Sequence, residues 1–126
     1  MGKILIVDDS EVARMKVIGF LEELNHEIIE ASDGMEGIRV ADEHSDIQLI
    51  ISDYNMPEMN GLAMIEKIKE KPAHKDTFFA VMTTETSANL KQKGKSIGVK
   101  LWIKKPVNKE AFLKVVKVIF ERLGAA

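Results

Sequence analysis

Five short runs rich in apolar residues recur along the chain, at residues 3–7, 27–31, 47–52, 78–82 and 99–103. Runs of that length, bounded by polar or turn-forming residues, read as strands covered on both faces. Between them the spacing of apolar positions changes to that of helices. Ser10 or Asp9 can cap a first helix whose inward stripe is Ala13, Val17, Phe20, Leu21 and Leu24, with Arg14, Glu22 and Glu23 off the stripe. Asn25 and His26 end it. Ser32, Asp33 and Gly34 form a turn, and an amphipathic helix follows through Met35, Ile38 and Ala41. A third helix carries Leu62, Ile65 and Ile68 inward and stops at Lys71-Pro72.

The fourth helix, over residues 87–98, is the poorest, with Gly94 inside it and only Leu90 and Ile97 as strong apolar anchors. An interior glycine costs a helix about 1 kcal/mol relative to alanine, so this helix is expected to be the least stable. The last helix buries Phe112, Val115, Val116, Ile119 and Leu123, with lysines opposite. Phe120 and Val118 lie beside that stripe, as its margin or as a docking patch. Strands alternating with helices in this way predict an α/β fold, a doubly wound five-stranded parallel sheet. No internal repeat, linker or low-complexity segment interrupts the pattern, and 126 residues suit a single domain over 1–126.

Composition narrows the chemistry. The chain has no cysteine, which excludes disulfides and cysteine-ligated metals, and His26, His44 and His74 are scattered singly. The apolar runs are too short to cross a bilayer. Lys3 leads at once into Ile4-Leu5-Ile6-Val7-Asp8, which is no signal peptide. After Met1-Gly2, Ile6 stands where a myristoylation pattern needs Ser or Thr. A cytoplasmic location and no membrane insertion are therefore expected. The net charge of −2 conceals an asymmetry: residues 1–62 hold 4 Lys and Arg against 14 Asp and Glu, and residues 63–126 hold 14 against 6. The lysines lack interleaved aromatics and any arginine cluster, so direct nucleic-acid binding is not expected.

In residues 49–57, Leu-Ile-Ile-Ser leads into Asp53, and Pro57 then turns the chain. Taken alone, Asp53 reads more readily as a turn aspartate satisfying local amides than as a site. In a parallel sheet, however, all carboxyl ends face one edge, where open α/β sheets bind ligands. The polar residues at that edge are Asp8 and Asp9 after strand 1, Asp53 after strand 3, Thr83 after strand 4 and Lys105 after strand 5. Three carboxylates a few ångström apart repel by on the order of several kcal/mol at an effective dielectric constant near 20. Such a site calls for a cation or a displaced pKa. All-oxygen ligands suit Mg²⁺. A carboxylate nucleophile, Mg²⁺, a lysine and a hydroxyl together describe phosphoryl transfer onto Asp53. Neither a P-loop nor a GxGxxG stretch is present, so the phosphate does not arrive as a bound nucleotide.

These motifs, Ile4-Leu5-Ile6-Val7-Asp8-Asp9-Ser10, Asp53-Tyr54-Asn55-Met56-Pro57, Met82-Thr83 and Lys105-Pro106, run through the whole length in order. With them the chain resembles a two-component response regulator receiver domain of the stand-alone, CheY-like kind. The resemblance implies a strand order of 2-1-3-4-5 and Asp53 as phosphoacceptor. It implies Mg²⁺ held by Asp9 directly, by Asp8 largely through water, by Asp53 and by the Asn55 carbonyl. Lys105 is expected to pair with the phosphoryl oxygens and Thr83 to bond one of them after phosphorylation. Lys104 is expected on the opposite face of the strand from Lys105, and Pro106 is expected to follow a cis bond.

Trp102 stands at the family's switch-aromatic position, where Tyr or Phe is usual, so its inward rotation is expected to be hindered or partial. It reads equally as a half-exposed edge-strand aromatic. Thr84 stands where a small residue is usual and is expected to narrow access. The implied partners are a sensor histidine kinase and a downstream effector protein such as a flagellar switch or a phosphotransfer protein. The effector is reached through helix 4, strand 5 and helix 5, where Lys91, Lys93, Lys95, Lys100 and Lys104 suggest an acidic partner or are simply solvated. A monomer without output domain is expected, signalling as in chemotaxis or carrying phosphate within a multi-step phosphorelay, and not itself an enzyme. A haloacid-dehalogenase-type phosphatase is the competing reading, but it needs a second aspartate where this chain has Asn55.

Overall fold

Parallel strands that are apolar on both faces need helices on both sides. The computed structural model has that arrangement and describes residues 2–85 and 87–124. Expectations that rest on Met1 or Ala126 lie outside the described residues. Strands β1 (Lys3–Val7), β2 (Glu27–Ala31), β3 (Leu49–Asp53), β4 (Phe78–Thr83) and β5 (Val99–Lys104) form one parallel sheet in the order β2-β1-β3-β4-β5. Helices α1 (Glu11–Leu21), α2 (Gly34–Glu43), α3 (Gly61–Lys69), α4 (Ala88–Ile97) and α5 (Lys109–Gly124) follow the strands in turn. The expected α/β architecture and strand order are both present. No helix among the described residues is long and apolar enough to cross a membrane.

Each helix starts on a side chain that satisfies a free backbone N–H of its first turn. Ser10 Oγ accepts from Ala13, Asp33 Oδ1 from Glu36, Asn60 Oδ1 from Ala63, Ser87 Oγ from Leu90 and Asn108 Oδ1 from Ala111. The first helix thus uses Ser10, not Asp9.

The sheet separates two apolar layers. Leu5, Val7, Ile50, Phe79 and Val81 pack against α2, α3 and α4 through Val40, Ile65, Ile68 and Leu90. Ile4, Ile6, Leu49, Ile51, Ala80 and Met82 pack against α1 and α5 through Val17, Leu21, Phe112, Leu113, Val116 and Ile119. Side chains alternate between the layers along each strand. On β5 the alternation breaks. Phe79 pairs with Val99 but Ala80 pairs with Leu101, so Lys100 is an extra residue at a β-bulge. Val99 packs with the α2–α4 layer, and beyond the bulge Trp102 faces that layer too, whereas Leu101 and Ile103 face the α1 and α5 layer.

Several local expectations are corrected. The third strand begins at Leu49, not Ile47, and includes Asp53; β4 and β5 each run one residue further, to Thr83 and Lys104. Met35 does not point inward but is 63% exposed. The buried face of α2 consists of Gly34, Gly37, Val40 and Ala41. The two glycines let the helix lie against Met59 and Met64, whose side chains occupy the space a Cβ would need. On α5, Leu113 is buried, while Val115 and Leu123 are half-buried. Phe120 is half-buried and stacks on His26 with centroids 3.9 Å apart, which makes it part of the margin of the core; Val118 is exposed.

Candidate functional site

The register of the sheet brings the acidic residues together. Val7 pairs with Ser52, so Asp8, one residue beyond β1, lies alongside Asp53 at the end of β3. Carboxylate oxygens of Asp8, Asp9 and Asp53 all lie within 4.8 Å of one another. Asp8 and Asp53 are buried, with 1% and 7% exposure, and Asp9 is open to solvent. From the loop after β5, Lys105 Nζ reaches to 3.2 Å from Asp53 Oδ2 and 3.4 Å from Asp8 Oδ2. The Lys105-Pro106 peptide bond is cis, as the resemblance implies.

Asp8 is held at every polar atom. Its N–H donates to the Ala31 carbonyl at 3.2 Å, and the Ser10 N–H donates to its Oδ1 at 2.9 Å. Its Oδ2 faces Lys105, and Arg14 Nη1 donates to its backbone carbonyl at 2.6 Å. The Asp53 carbonyl accepts from Ser52 Oγ at 2.9 Å. It also abuts the first residue of α3, Gly61, where a side chain would collide with it. Gly61 in turn donates its N–H to the Tyr54 carbonyl at 2.9 Å, closing the loop that follows the aspartate.

Burial raises the Asp53 carboxyl above the usual carboxylate range; Lys105 opposes this, and Asp8 and Asp9 reinforce it. Three carboxylates and one ammonium leave the cluster a formal charge of −2. A divalent ion cancels that charge. The donors are all oxygen, and one of the three carboxylates is solvent-accessible, which leaves room for water ligands. That set fits Mg²⁺, a hard ion that keeps part of its hydration shell.

Thr83 is buried at the end of β4, its Oγ1 accepting the Glu85 N–H at 2.9 Å and its carbonyl accepting the Lys105 N–H at 3.0 Å. Accepting the Glu85 N–H uses a lone pair of Oγ1 and not the hydroxyl proton, so Thr83 keeps a donor for an anion. Thr84 and Asn55 are exposed. Trp102 is half-buried on the edge strand and seated against Gly94 of α4. Lys91, Lys93, Lys95, Lys100 and Lys104 are all exposed.

Among the sequence-derived residues, Asp8, Asp9, Asp53 and Lys105 are therefore in one cluster, with Thr83 at the neighbouring strand end. Sequence reading missed Arg14, Gly61 and Gly94. Arg14 looked like a surface residue because it lies off the apolar stripe of α1. Its contacts are with Asp8, six positions earlier, and with Glu30 on β2. The glycines act by having no side chain, and no residue-type pattern signals that.

Comparison with known proteins agrees with this architecture. A family model described as the response regulator receiver domain matches residues 4–117. The chain is 36% identical over 84 residues to the chemotaxis protein CheY homolog of Campylobacter jejuni, covering 66% of this chain and 65% of that protein. It is 31% identical over 118 residues to the chemotaxis protein CheY1 of Helicobacter pylori, covering 93% of this chain and 95% of that one. Among solved structures, Vibrio cholerae chemotaxis protein CheY4 superposes with a TM-score of 0.89 at 37% identity, over 94% of this chain and 98% of that one. Matched by that model over most of its length, and sharing the five-stranded parallel fold of these neighbours, the chain belongs to the response regulator receiver domain family.

Proposed function

We propose that this receiver takes a phosphoryl group from the phosphohistidine of a sensor histidine kinase onto Asp53 and relays the signal, in chemotaxis fashion, to a downstream protein. One Asp53 carboxylate oxygen attacks the phosphorus. The O–P bond forms as the P–N bond breaks, and the departing imidazole nitrogen keeps the bonding pair. Lys105 places its ammonium where the transferring oxygens gather charge. Asp8, Asp9, Asp53 and the Asn55 carbonyl would hold Mg²⁺, which when bound supplies further positive charge beside the phosphoryl oxygens.

After transfer, the Thr83 hydroxyl donates to a phosphoryl oxygen. Thr83 ends β4 beside β5, so its movement biases an existing equilibrium in the packing of α4 and β5 around Trp102. The surface of α4, β5 and α5, with its exposed lysines, then meets an acidic partner. The chain acts in this reading as a cytoplasmic monomer and a phosphoacceptor rather than an enzyme with its own substrate.

The observation that carries the proposal is the Lys105 ammonium 3.2 Å from the Asp53 carboxylate, within a cluster two charges short of neutrality. Its test is incubation with Mg²⁺ and a small phosphodonor, or beryllium fluoride, followed by intact-mass analysis and Trp102 fluorescence. Wild type should take up one phosphoryl group and Asp53→Asn none. Equal uptake by the variant, or none by wild type, sinks the assignment. Uptake without any change at Trp102 removes only the relay through α4 and β5.

A further inference from the structure

We propose that Arg14 is a positioning residue for the acidic pair Asp8-Asp9, an assignment that rests on reading these carboxylates as the Mg²⁺ ligands. The Asp8 carbonyl belongs to the peptide unit joining the two aspartates. That unit is planar, so fixing its oxygen fixes the Cα positions from which both carboxylates project. Ser10 and Lys105 restrain the Asp8 side chain, and Ala31 restrains its N–H. Asp9, on the open side of the site, is oriented through the peptide plane that Arg14 holds at 2.6 Å.

The guanidinium is held in turn. Its Nε donates to Glu30 Oε1 on β2 at 2.7 Å, and the Arg14 side chain is only 13% exposed, whereas that of Glu30 is 52% exposed. Two donors of one rigid fork thus engage two acceptors, one just beyond the end of β1 and one on β2. A lysine has a single point of charge on a flexible stem and cannot reproduce both. Because Glu30 balances its charge, Arg14 does not take the place of a metal cation. It sets where the metal ligands stand.

The alternative is an ion pair of purely structural effect, and metal affinity measured beside stability separates the two. Mg²⁺ binding by wild type, Arg14→Met, Arg14→Lys and Glu30→Gln would be followed by titration calorimetry, with thermal unfolding of each in the absence of Mg²⁺. Removing an outer partner of a metal ligand lowers affinity roughly tenfold or more, and that is the loss expected for Arg14→Met. Arg14→Lys should recover unfolding temperature without recovering affinity, and Glu30→Gln should weaken binding less than Arg14→Met does. Unchanged affinity in a folded Arg14→Met, or full recovery in Arg14→Lys, overturns the proposal. Should Arg14→Met fail to fold, unchanged affinity in Glu30→Gln overturns it. Wild type that binds no Mg²⁺ brings down the reading of the site itself, whereas wild-type binding with unaffected variants brings down Arg14 alone.

Discussion

Gly94 of α4 and Trp102 of β5 are in direct contact: the space that a side chain at Gly94 would occupy is filled by the six-membered ring of the indole. The helix judged poorest for having a glycine inside it needs that glycine to lie over the tryptophan. Alanine would improve helix propensity by about 1 kcal/mol, but inserting a methyl group into a packed contact costs about 1–3 kcal/mol. Gly94→Ala is therefore expected to destabilise the protein slightly and to shift Trp102 emission as the indole or α4 moves. Chemical unfolding followed by fluorescence checks both, and a more stable variant with unchanged emission would show the contact to be loose.

Asp53→Asn should stabilise the protein at pH 7 while abolishing phosphoryl uptake. Burial raises the native carboxyl above its ordinary value, so ionised Asp53 weakens folding whenever the pH exceeds both values. As pH falls through the raised native value, the folded wild type gains a proton that the unfolded chain does not yet bind. Wild type therefore recovers stability relative to the variant, fully once pH is below the unfolded carboxylate value near 3.9. The variant's unfolding temperature should therefore be higher than wild type's at pH 7, and the gap should close on acidification. A gap that widens on acidification would contradict the burial argument.

Lys105→Ala is expected to separate binding from transfer. The ammonium now bridges Asp8 and Asp53, at 3.4 and 3.2 Å, in part as a divalent ion would. Its removal leaves the carboxylates more negative, so Mg²⁺ affinity should hold or rise. Loss of one preorganised charge at the transferring oxygens should slow phosphorylation by about 10²–10³-fold. Calorimetry and rapid mixing with a small phosphodonor measure the two effects, and an unaffected rate would remove Lys105 from the mechanism.

His74 should matter for folding and not for signalling. It is 1% exposed. Its Nε2 lies 2.6 Å from the Ala41 carbonyl, which only an Nε2–H can satisfy, and its Nδ1 lies 3.3 Å from Thr77 Oγ1. His74→Ala leaves the Ala41 carbonyl unsatisfied and opens a cavity, at a cost of about 2–4 kcal/mol. Urea unfolding should register that loss while the folded variant still takes up phosphate on Asp53. Loss of uptake in folded protein would mean that His74 is coupled to the site.

What was legible in the sequence is what local periodicity and chain order encode. Apolar runs such as residues 49–52 cannot be solvated, so they become strands covered on both faces. Parallel strands share a carboxyl edge, which places Asp8, Asp9, Asp53 and Lys105 together. Tertiary structure alone decided the rest. Met35 matched a helical stripe but is exposed, because Gly34 and Gly37 bring the other face of α2 onto its neighbours. Trp102 faces α4 because one extra residue at the Lys100 bulge reverses which side of β5 each later residue occupies. Arg14 reaches Asp8 because β2 supplies Glu30 beside it. Period and polarity are properties of neighbouring residues, and a single sequence carries them; register, bulges and distances of approach arise between segments far apart in the chain, and they exist only once the sheet has formed.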